Sequence, residues 1–211
     1  MSTQLRIALP KGRIYGPTID LLARASIRIP NGADSRRLIT TDAEGKFELV
    51  ALKPVDIPVY VESGAIDAGI VGTDILRELE SDVYEPVDLR IGLCRIVVAA
   101  PVGNERPLRR ALRVATKYPR TAERHFRRRH SHVHIVKLDG SVEIAPLLGL
   151  ADSIVDLVET GRTLRENGLR VVEEIANVSS KLIVNRTAMK MKSVVTQTLI
   201  NNLDAVVYEN S

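Results

Sequence analysis

Aromatic residues are scarce in this chain of 211 residues: they make up 3% of it, and tryptophan is absent. Hydrophobic residues as a whole make up 45%, which is enough to bury a core, but that core must be aliphatic. Aliphatic cores favour layered α/β packing, in which buried parallel strands are runs of Val, Ile and Leu. The composition therefore predicts an α/β fold.

Cysteine and long apolar runs are also lacking. The single cysteine, Cys94, excludes an internal disulfide, which is consistent with a reducing compartment. It lies in an aliphatic stretch, which predicts a core position rather than a nucleophile. No apolar run approaches the length of a membrane span, and the polar residues 1–6 do not fit a signal peptide. We expect a cytoplasmic protein that does not contact a membrane.

The excess of positive charge is small, with a formal net charge of +4 and both signs spread along the chain. Such a balance fits an anionic small molecule at least as well as nucleic acid. The basic run at residues 124–129 has only Phe126 as a stacking partner, which favours a solvated helix face. His130, His132 and His134 alternate as metal ligands on a strand would, but no further ligand is spaced nearby, so exposed histidines are favoured.

Predicted strands and helices alternate along the chain, which is typical of parallel βαβ units. Strands are predicted at residues 5–9, 38–40, 47–52, 68–71, 91–100, 114–116, 133–138, 153–158 and 182–185. Helices are predicted at residues 17–25, 57–63, 73–79, 120–129, 141–147, after residue 163 and at 190–201, and residues 203–208 could form a last strand. Thr73 or Asp74 is expected to cap its helix.

The alternation of strands and helices has mild breaks near residues 86–90 and 169–176, and these breaks indicate two domains. We expect a discontinuous domain of residues 1–90 plus 175–211 and a second domain of residues 91–174. A cleft between two such domains is the expected ligand site.

The most informative segment is SIVDLVETGRTL at residues 153–164, which reads as a buried strand, a turn and the start of a helix. Glycine lets the backbone approach an anion closely, and threonine hydroxyls and helix-start amides donate to it, so the turn is a candidate phosphate cradle. The alternative is that the two threonines only cap the helix. The candidate phosphate-binding residues are Asp156, Glu159, Thr160, Gly161, Arg162 and Thr163.

Several segments in order resemble the ATP phosphoribosyltransferase family. They are ALPKGR at residues 8–13, GAIDAGIVGTD at 64–74, DGSVEIAP at 139–146, GLAD at 149–152, the strand and turn at 153–164, and LRENGL at 164–169. The resemblance implies a two-lobed fold like type II periplasmic binding proteins, with the active site between the lobes. It also implies the first step of histidine biosynthesis, in which ATP and phosphoribosyl pyrophosphate (PRPP) give N1-(5-phosphoribosyl)-ATP and pyrophosphate.

The resemblance extends to cofactor and partners. It implies Mg²⁺ bridged by substrate phosphates, with no dedicated metal ligands on the protein. The chain resembles the short form of the family, which works with a separate regulatory subunit similar to histidyl-tRNA synthetase, and we expect it to form a homodimer by itself. No nucleic-acid partner is expected.

Site residues follow from the same reaction, because negative charge builds on the departing pyrophosphate. The expected catalytic residues are Lys11, Arg13 and, as a second choice, Arg36; the alternative for the first two is an ordinary solvated basic turn. The expected ATP-binding residues are Lys11, Gly12, Thr73, Asp74, Lys117 and Glu143. Helix capping is the alternative for Thr73 and Asp74, and compensation of the helix dipole is the alternative for Glu143.

Two other functions are weighed against this one. A non-enzymatic solute- or effector-binding module of the same two-lobed fold would explain residues 64–74 but not the 153–164 segment. A nucleobase phosphoribosyltransferase of the type I fold would have two adjacent acids before its PRPP loop. Here Asp156 matches one of them, and Val155 stands in place of the other.

Overall fold

The computed structural model describes residues 4–29, 39–103 and 111–209. The chain divides into two compact units: unit 1 is Met1–Gly92 with Ser179–Ser211, and unit 2 is Leu93–Val178. The chain therefore passes from one unit to the other twice, after residues 92 and 178, where the sequence predicted crossings after residues 90 and 174.

Each unit is a sheet covered by helices. Unit 1 contains strands β1 (Leu5–Pro10), β2 (Ile39–Thr41), β3 (Phe47–Leu52), β4 (Ala68–Gly72), β5 (Tyr84–Asp88) and β11 (Ser180–Val184), with helices α1 (Tyr15–Arg24), α2 (Ile57–Glu62), α3 (Thr73–Leu79), α7 (Arg186–Met191) and α8 (Ser193–Tyr208). Unit 2 contains strands β6 (Cys94–Pro101), β7 (Leu112–Thr116), β8 (Val133–Lys137), β9 (Ser153–Val158) and β10 (Leu169–Val178), with helices α4 (Pro119–Arg128), α5 (Ile144–Leu147) and α6 (Arg162–Glu166).

The sheet of unit 1 has the strand order β2-β3-β1-β4-β11-β5. Strands β3, β1 and β4 are parallel, so their carboxyl ends lie at one edge of the sheet. Because side chains alternate along a strand, Ile7 joins the cluster that contains α1 and α8, whereas Ala8 joins the cluster on the opposite face with α2. The core is aliphatic as predicted.

The sheet of unit 2 has the order β10-β6-β9-β7-β8. Strands β9, β7 and β8 are parallel, and β6 runs antiparallel to both of its neighbours. On β9, Ile154 and Val158 join the cluster of α5 and α6, whereas Val155 joins that of α4. Cys94 lies in the α4 cluster, which confirms its predicted core position.

Several predictions about the elements are wrong. The sheets are mixed rather than parallel, since β2, β5, β6, β10 and β11 all pair antiparallel. Residues 203–208 are helical, because apolar residues at 199, 200, 203, 206 and 207 form one buried face of α8. The N-cap residue of α3 is Gly72, rather than Thr73 or Asp74.

One further detail differs from the sequence expectations. The helix predicted at residues 190–201 is two helices, α7 and α8, that meet at Lys192. Within the described ranges, the helices are all too short or too polar to cross a membrane.

Candidate active site

The carboxyl edge of the unit 2 sheet collects one group of predicted site residues. Lys117 directly follows β7, Asp156 lies near the end of β9, and the turn at residues 159–163 follows that strand. Glu143 is the N-cap of α5 and is close enough to Asp156 to raise the pKa of that carboxyl. Ligands of α/β proteins bind outside the carboxyl ends of the strands, so the fold brings these residues to the expected place.

An ion pair forms the centre of this edge. Asp156 is 8% exposed, and its Oδ1 lies 3.3 Å from Nζ of Lys117 and accepts the backbone N–H of Leu157 at 2.8 Å. Burial raises the pKa of Asp156, whereas the charge of Lys117 and the hydrogen bond from Leu157 act in the opposite direction. Within the part of the chain that the structure describes, Oδ2 of Asp156 accepts no protein hydrogen bond, so it is available to a ligand hydroxyl.

The turn after β9 leads directly into α6, whose N-cap residue makes no side-chain hydrogen bond. Gly161 is the N-cap of α6 with φ at +72°, a left-handed conformation that favours glycine. The Thr160 hydroxyl accepts a long bond of 3.4 Å from the N–H of Arg162, and the Arg165 guanidinium donates to the Thr160 carbonyl at 3.1 Å. Thr160 and Thr163 are exposed, and neither of them is the N-cap residue of α6.

The carboxyl edge of the unit 1 sheet collects the other predicted group. Lys11, Gly12 and Arg13 follow β1 and are exposed. The N–H of Lys11 donates to the Leu52 carbonyl at 2.8 Å, and Gly12 has φ at +92°. The Arg13 guanidinium contacts the carbonyl of Gly92 at 3.5 Å. The backbone of this basic turn is thus fixed, while its cationic side chains extend from the sheet edge.

Thr73 and Asp74 lie at the same edge, at the start of α3, and Thr73 is hydrogen-bonded within unit 1. The N–H of Thr73 donates to the Ser179 carbonyl at 2.8 Å, and its hydroxyl accepts the N–H of Ser179 at 3.3 Å. Asp74 is buried, and its carboxylate occupies the space that a side chain at Gly72 would need. The sequence did not indicate Ser179 or Gly92, because neither belongs to a motif.

The remaining candidates fall elsewhere. Arg36 lies outside the described residues. His130, His132 and His134 are exposed, and only His134 is part of β8. Residues 4–29, 39–103 and 111–209 contain no group of three or more His, Cys, Asp or Glu that could hold a metal ion.

A second acid near β9 has a structural role and serves as a control for Asp156. Asp152 accepts the Arg113 backbone N–H at 3.0 Å and both Nε and Nη2 of its guanidinium, at 3.2 and 3.0 Å. We expect Asp152→Asn to lower the free energy of unfolding by about 1–3 kcal/mol, because the Asn amide cannot accept all of these bonds. Chemical denaturation of the variant measures this loss, and unchanged stability would contradict the structural role.

Comparison with known proteins identifies the family. The family model described as HisG, ATP phosphoribosyltransferase, matches residues 53–205. The ATP phosphoribosyltransferase of Syntrophotalea carbinolica is 46% identical over 100% of this chain and 99% of its own length. That of a Geobacillus strain is 47% identical over 96% of this chain and 98% of its own.

Solved structures agree. The ATP phosphoribosyl transferase (HisG:HisZ) complex from Thermotoga maritima contains a chain that is 31% identical, with a TM-score of 0.86 over 99% of this chain and 100% of that one. The periplasmic aliphatic sulphonate binding protein from Escherichia coli shares the fold alone, with 15% identity and a TM-score of 0.60 over 100% of this chain and 71% of that one. The fold is thus that of type II periplasmic binding proteins, and the type I hypothesis is wrong. The chain belongs to the ATP phosphoribosyltransferase family.

Proposed function

We propose that this chain transfers the 5-phosphoribosyl group of PRPP to N1 of the adenine ring of ATP and releases pyrophosphate, the first step of histidine biosynthesis. One observation in the structure supports this most strongly: the buried carboxylate of Asp156, paired with the exposed Lys117, lies on the strand that leads into the Thr-Gly turn at the carboxyl edge of a sheet. Family membership supports the identity of both substrates.

The reaction is a displacement at the anomeric carbon of ribose. The lone pair of adenine N1 forms the new N–C bond while the bond from that carbon to the pyrophosphate oxygen breaks, and the electron pair leaves with pyrophosphate. The attacking nitrogen carries no proton, so no general base is required. The protein has to align the two substrates and to stabilise the charge that builds on the leaving group.

The two strand edges divide this work. At the edge of unit 2, the carboxylate of Asp156 accepts hydrogen bonds from ribose hydroxyls, and the hydroxyls of Thr160 and Thr163 donate to the 5-phosphate. Gly161 allows close approach of the backbone, with Glu159 and Arg162 flanking it. At the edge of unit 1, Lys11 and Arg13 neutralise the pyrophosphate, since guanidinium and ammonium groups form strong charge-assisted bonds to phosphate oxygens. The proposed ATP contacts are Lys11, Gly12, Thr73, Asp74, Lys117 and Glu143, and the expectation of a site in a cleft stays a prediction.

Mg²⁺ fits this site as a companion of the substrate rather than as a resident ion. The carboxylate of Asp156 is already paired with an ammonium group, which repels a divalent cation. Mg²⁺ keeps several waters and binds through substrate phosphates in many phosphate-transfer sites. Bound to the diphosphate of PRPP, it would supply further neutralisation of the leaving group.

Formation of the product tests the function directly. Incubation of the chain with ATP, PRPP and Mg²⁺ is expected to give a new ultraviolet-absorbing adduct, with one pyrophosphate released for each adduct formed. A reaction without PRPP is the control. The alternative function, a non-enzymatic binding module, would bind a ligand and give no adduct, and that result with the partner subunit present would refute the proposal.

We also propose a partner and a location for the chain. The Thermotoga maritima relative is a HisG:HisZ complex, which supports a HisZ-like regulatory subunit similar to histidyl-tRNA synthetase here. The chain by itself forms a homodimer. Because ATP and PRPP are metabolites of the cytoplasm, the enzyme works there.

Histidine is expected to have no inhibitory effect on the isolated chain. The described residues form two units, and both carry candidate substrate residues at their strand edges. Because both units are assigned to substrates in this proposal, the histidine site would lie on the partner. Histidine would then inhibit through a difference in its affinity for two states of the complex. Calorimetric titration of histidine, with initial rates on the chain alone, measures this. Saturable binding with inhibition and no partner present would contradict the prediction.

A further inference from the structure

Thr116, the last residue of β7, is a fully buried polar residue whose hydroxyl is used twice. Its exposed fraction is 0%. The hydroxyl donates to the carbonyl of Val155 at 2.7 Å and accepts the backbone N–H of Tyr118 at 2.9 Å. A single side chain therefore connects the end of β7, the following segment and the neighbouring strand β9.

Both bonds end directly beside the ion pair of the site. Val155 precedes Asp156 in the sequence, and Tyr118 follows Lys117. The pairing of β7 with β9 ends at Thr116 and Val155, so Lys117 lies beyond the regular ladder. The hydroxyl of Thr116 fixes the backbone on the far side of Lys117, where sheet hydrogen bonds no longer do.

We infer that Thr116 is a positioning residue for phosphoribosyl transfer, whose hydroxyl holds Lys117 beside Asp156 and so fixes the carboxylate that receives the ribose of PRPP. This inference rests on the proposed role of Asp156. A hydroxyl that bridges both flanks of an ion pair restricts the separation of the pair more than either strand does alone. The energy of the pair is sensitive to that separation, because Coulomb attraction in a partly buried site is weakly screened.

Loss of the hydroxyl would also change the titration of Asp156. Two charged groups act on this carboxyl: Lys117 after β7 lowers its pKa, and Glu143 at the start of α5 raises it. If Lys117 moves away, burial and Glu143 remain, and the pKa of Asp156 rises further. The ionised form is then lost at a higher pH, so the acid limb of kcat/KM for PRPP is expected to move to higher pH.

Three variants separate positioning from general stability. Thr116→Val keeps the shape and removes the hydroxyl, and we expect it to weaken PRPP binding about fivefold or more, since one hydrogen-bonded bridge is lost. Thr116→Ser keeps the hydroxyl and is expected to bind PRPP and to titrate as the wild type does. Ser153→Ala is the control, because its buried hydroxyl lies on β9, the strand of Asp156, and has no hydrogen-bond partner among the described residues.

A double-mutant cycle identifies the route of the effect. If Thr116 acts through Lys117, Thr116→Val is expected to add little to the loss of PRPP affinity in Lys117→Met. The inference would be overturned if the fold-losses of PRPP affinity in the two single variants multiply in the double variant. Wild-type affinity and a wild-type pH profile in Thr116→Val would also overturn it. Should Thr116→Val not fold, Thr116→Ala gives the same comparison. Failure of both to fold would also overturn it, because the hydroxyl would then hold unit 2 together rather than the pair.

Asp156→Asn separates this inference from the proposed function. If Asp156→Asn binds PRPP as tightly as the wild type, the proposed role of Asp156 is wrong, and the inference falls with it. If Asp156→Asn loses affinity while Thr116→Val keeps it, only the role of Thr116 is wrong.

Discussion

Arg13→Ala is expected to slow the chemical step about a hundredfold or more, the usual cost of removing one positioned donor to a charge that develops in the transition state. Arg13 extends from the fixed turn after β1, where we place the pyrophosphate. The affinity for ATP is expected to change much less, because the ground state carries less of this charge. Single-turnover mixing of the loaded enzyme measures the chemical step separately from product release.

Arg6 provides a matched control on the same strand. It lies near the start of β1, at the opposite edge of the sheet, and forms an ion pair with Glu48 at 2.8 Å. Exposed pairs of this kind contribute little, so Arg6→Ala is expected to leave turnover unchanged. A single-turnover rate equal to the wild type in Arg13→Ala, or an equal loss in both variants, would exclude the proposed role.

Asp156→Asn is expected to weaken PRPP binding by about 1.5–3 kcal/mol, which is the cost of losing a hydrogen bond to a charged group. Asn has the same shape as Asp, and its carbonyl can still accept a hydrogen bond from Lys117. The loss of PRPP affinity therefore reports the contribution of the negative charge of Asp156. The control is Asp152→Asn, which is expected to lower stability but not PRPP affinity. Calorimetric titration with PRPP and Mg²⁺ compares the two, and unchanged affinity in Asp156→Asn would exclude this carboxylate from the site.

Asp156→Asn is expected to raise the stability of the protein although it weakens PRPP binding. Burial raises the pKa of Asp156 above its ordinary value of 3.8, so the folded state binds this proton more tightly than the unfolded state. The stability that the protonated group contributes is present below 3.8 and is lost as pH rises through the folded pKa. Asp156→Asn is therefore expected to gain stability relative to the wild type between pH 4 and 7, and a constant difference in Tm across that range would contradict this.

Much of the secondary structure could be predicted because the strands that carry the site are buried. Phe47–Leu52 and Ser153–Val158 have the predicted bounds, since each is an aliphatic run bounded by polar turns. The carboxyl ends of β1, β4, β7 and β9 were predicted within one residue for the same reason. These ends position the candidate residues, so the sequence could indicate two clusters at strand edges.

The missed strands lie at the edges of the sheets, where the apolar signal is weak. β5 contains Pro86, which a central strand would exclude, and β10 is largely exposed and interrupted by two irregularities in its pairing with β6. Antiparallel pairing could not be predicted either, because partners such as Leu182 and Ile70 are far apart in sequence. At the site, the bond of Thr73 to Ser179 and the bond of Thr116 to Val155 also join residues that are far apart in sequence.

Recognition of the ribose 5-phosphate half of PRPP by unit 2 is tested most directly by nuclear magnetic resonance. Ribose 5-phosphate, which lacks the pyrophosphate, is titrated into the ¹⁵N-labelled chain while the backbone amide signals are followed. We expect saturable shifts at residues 116–118, 156–158 and 160–164, with smaller changes at residues 11–13, and their loss in Asp156→Asn. Shifts confined to residues 11–13, or unchanged signals around Asp156 at saturation, would contradict the assignment of this half of the substrate to the edge of unit 2.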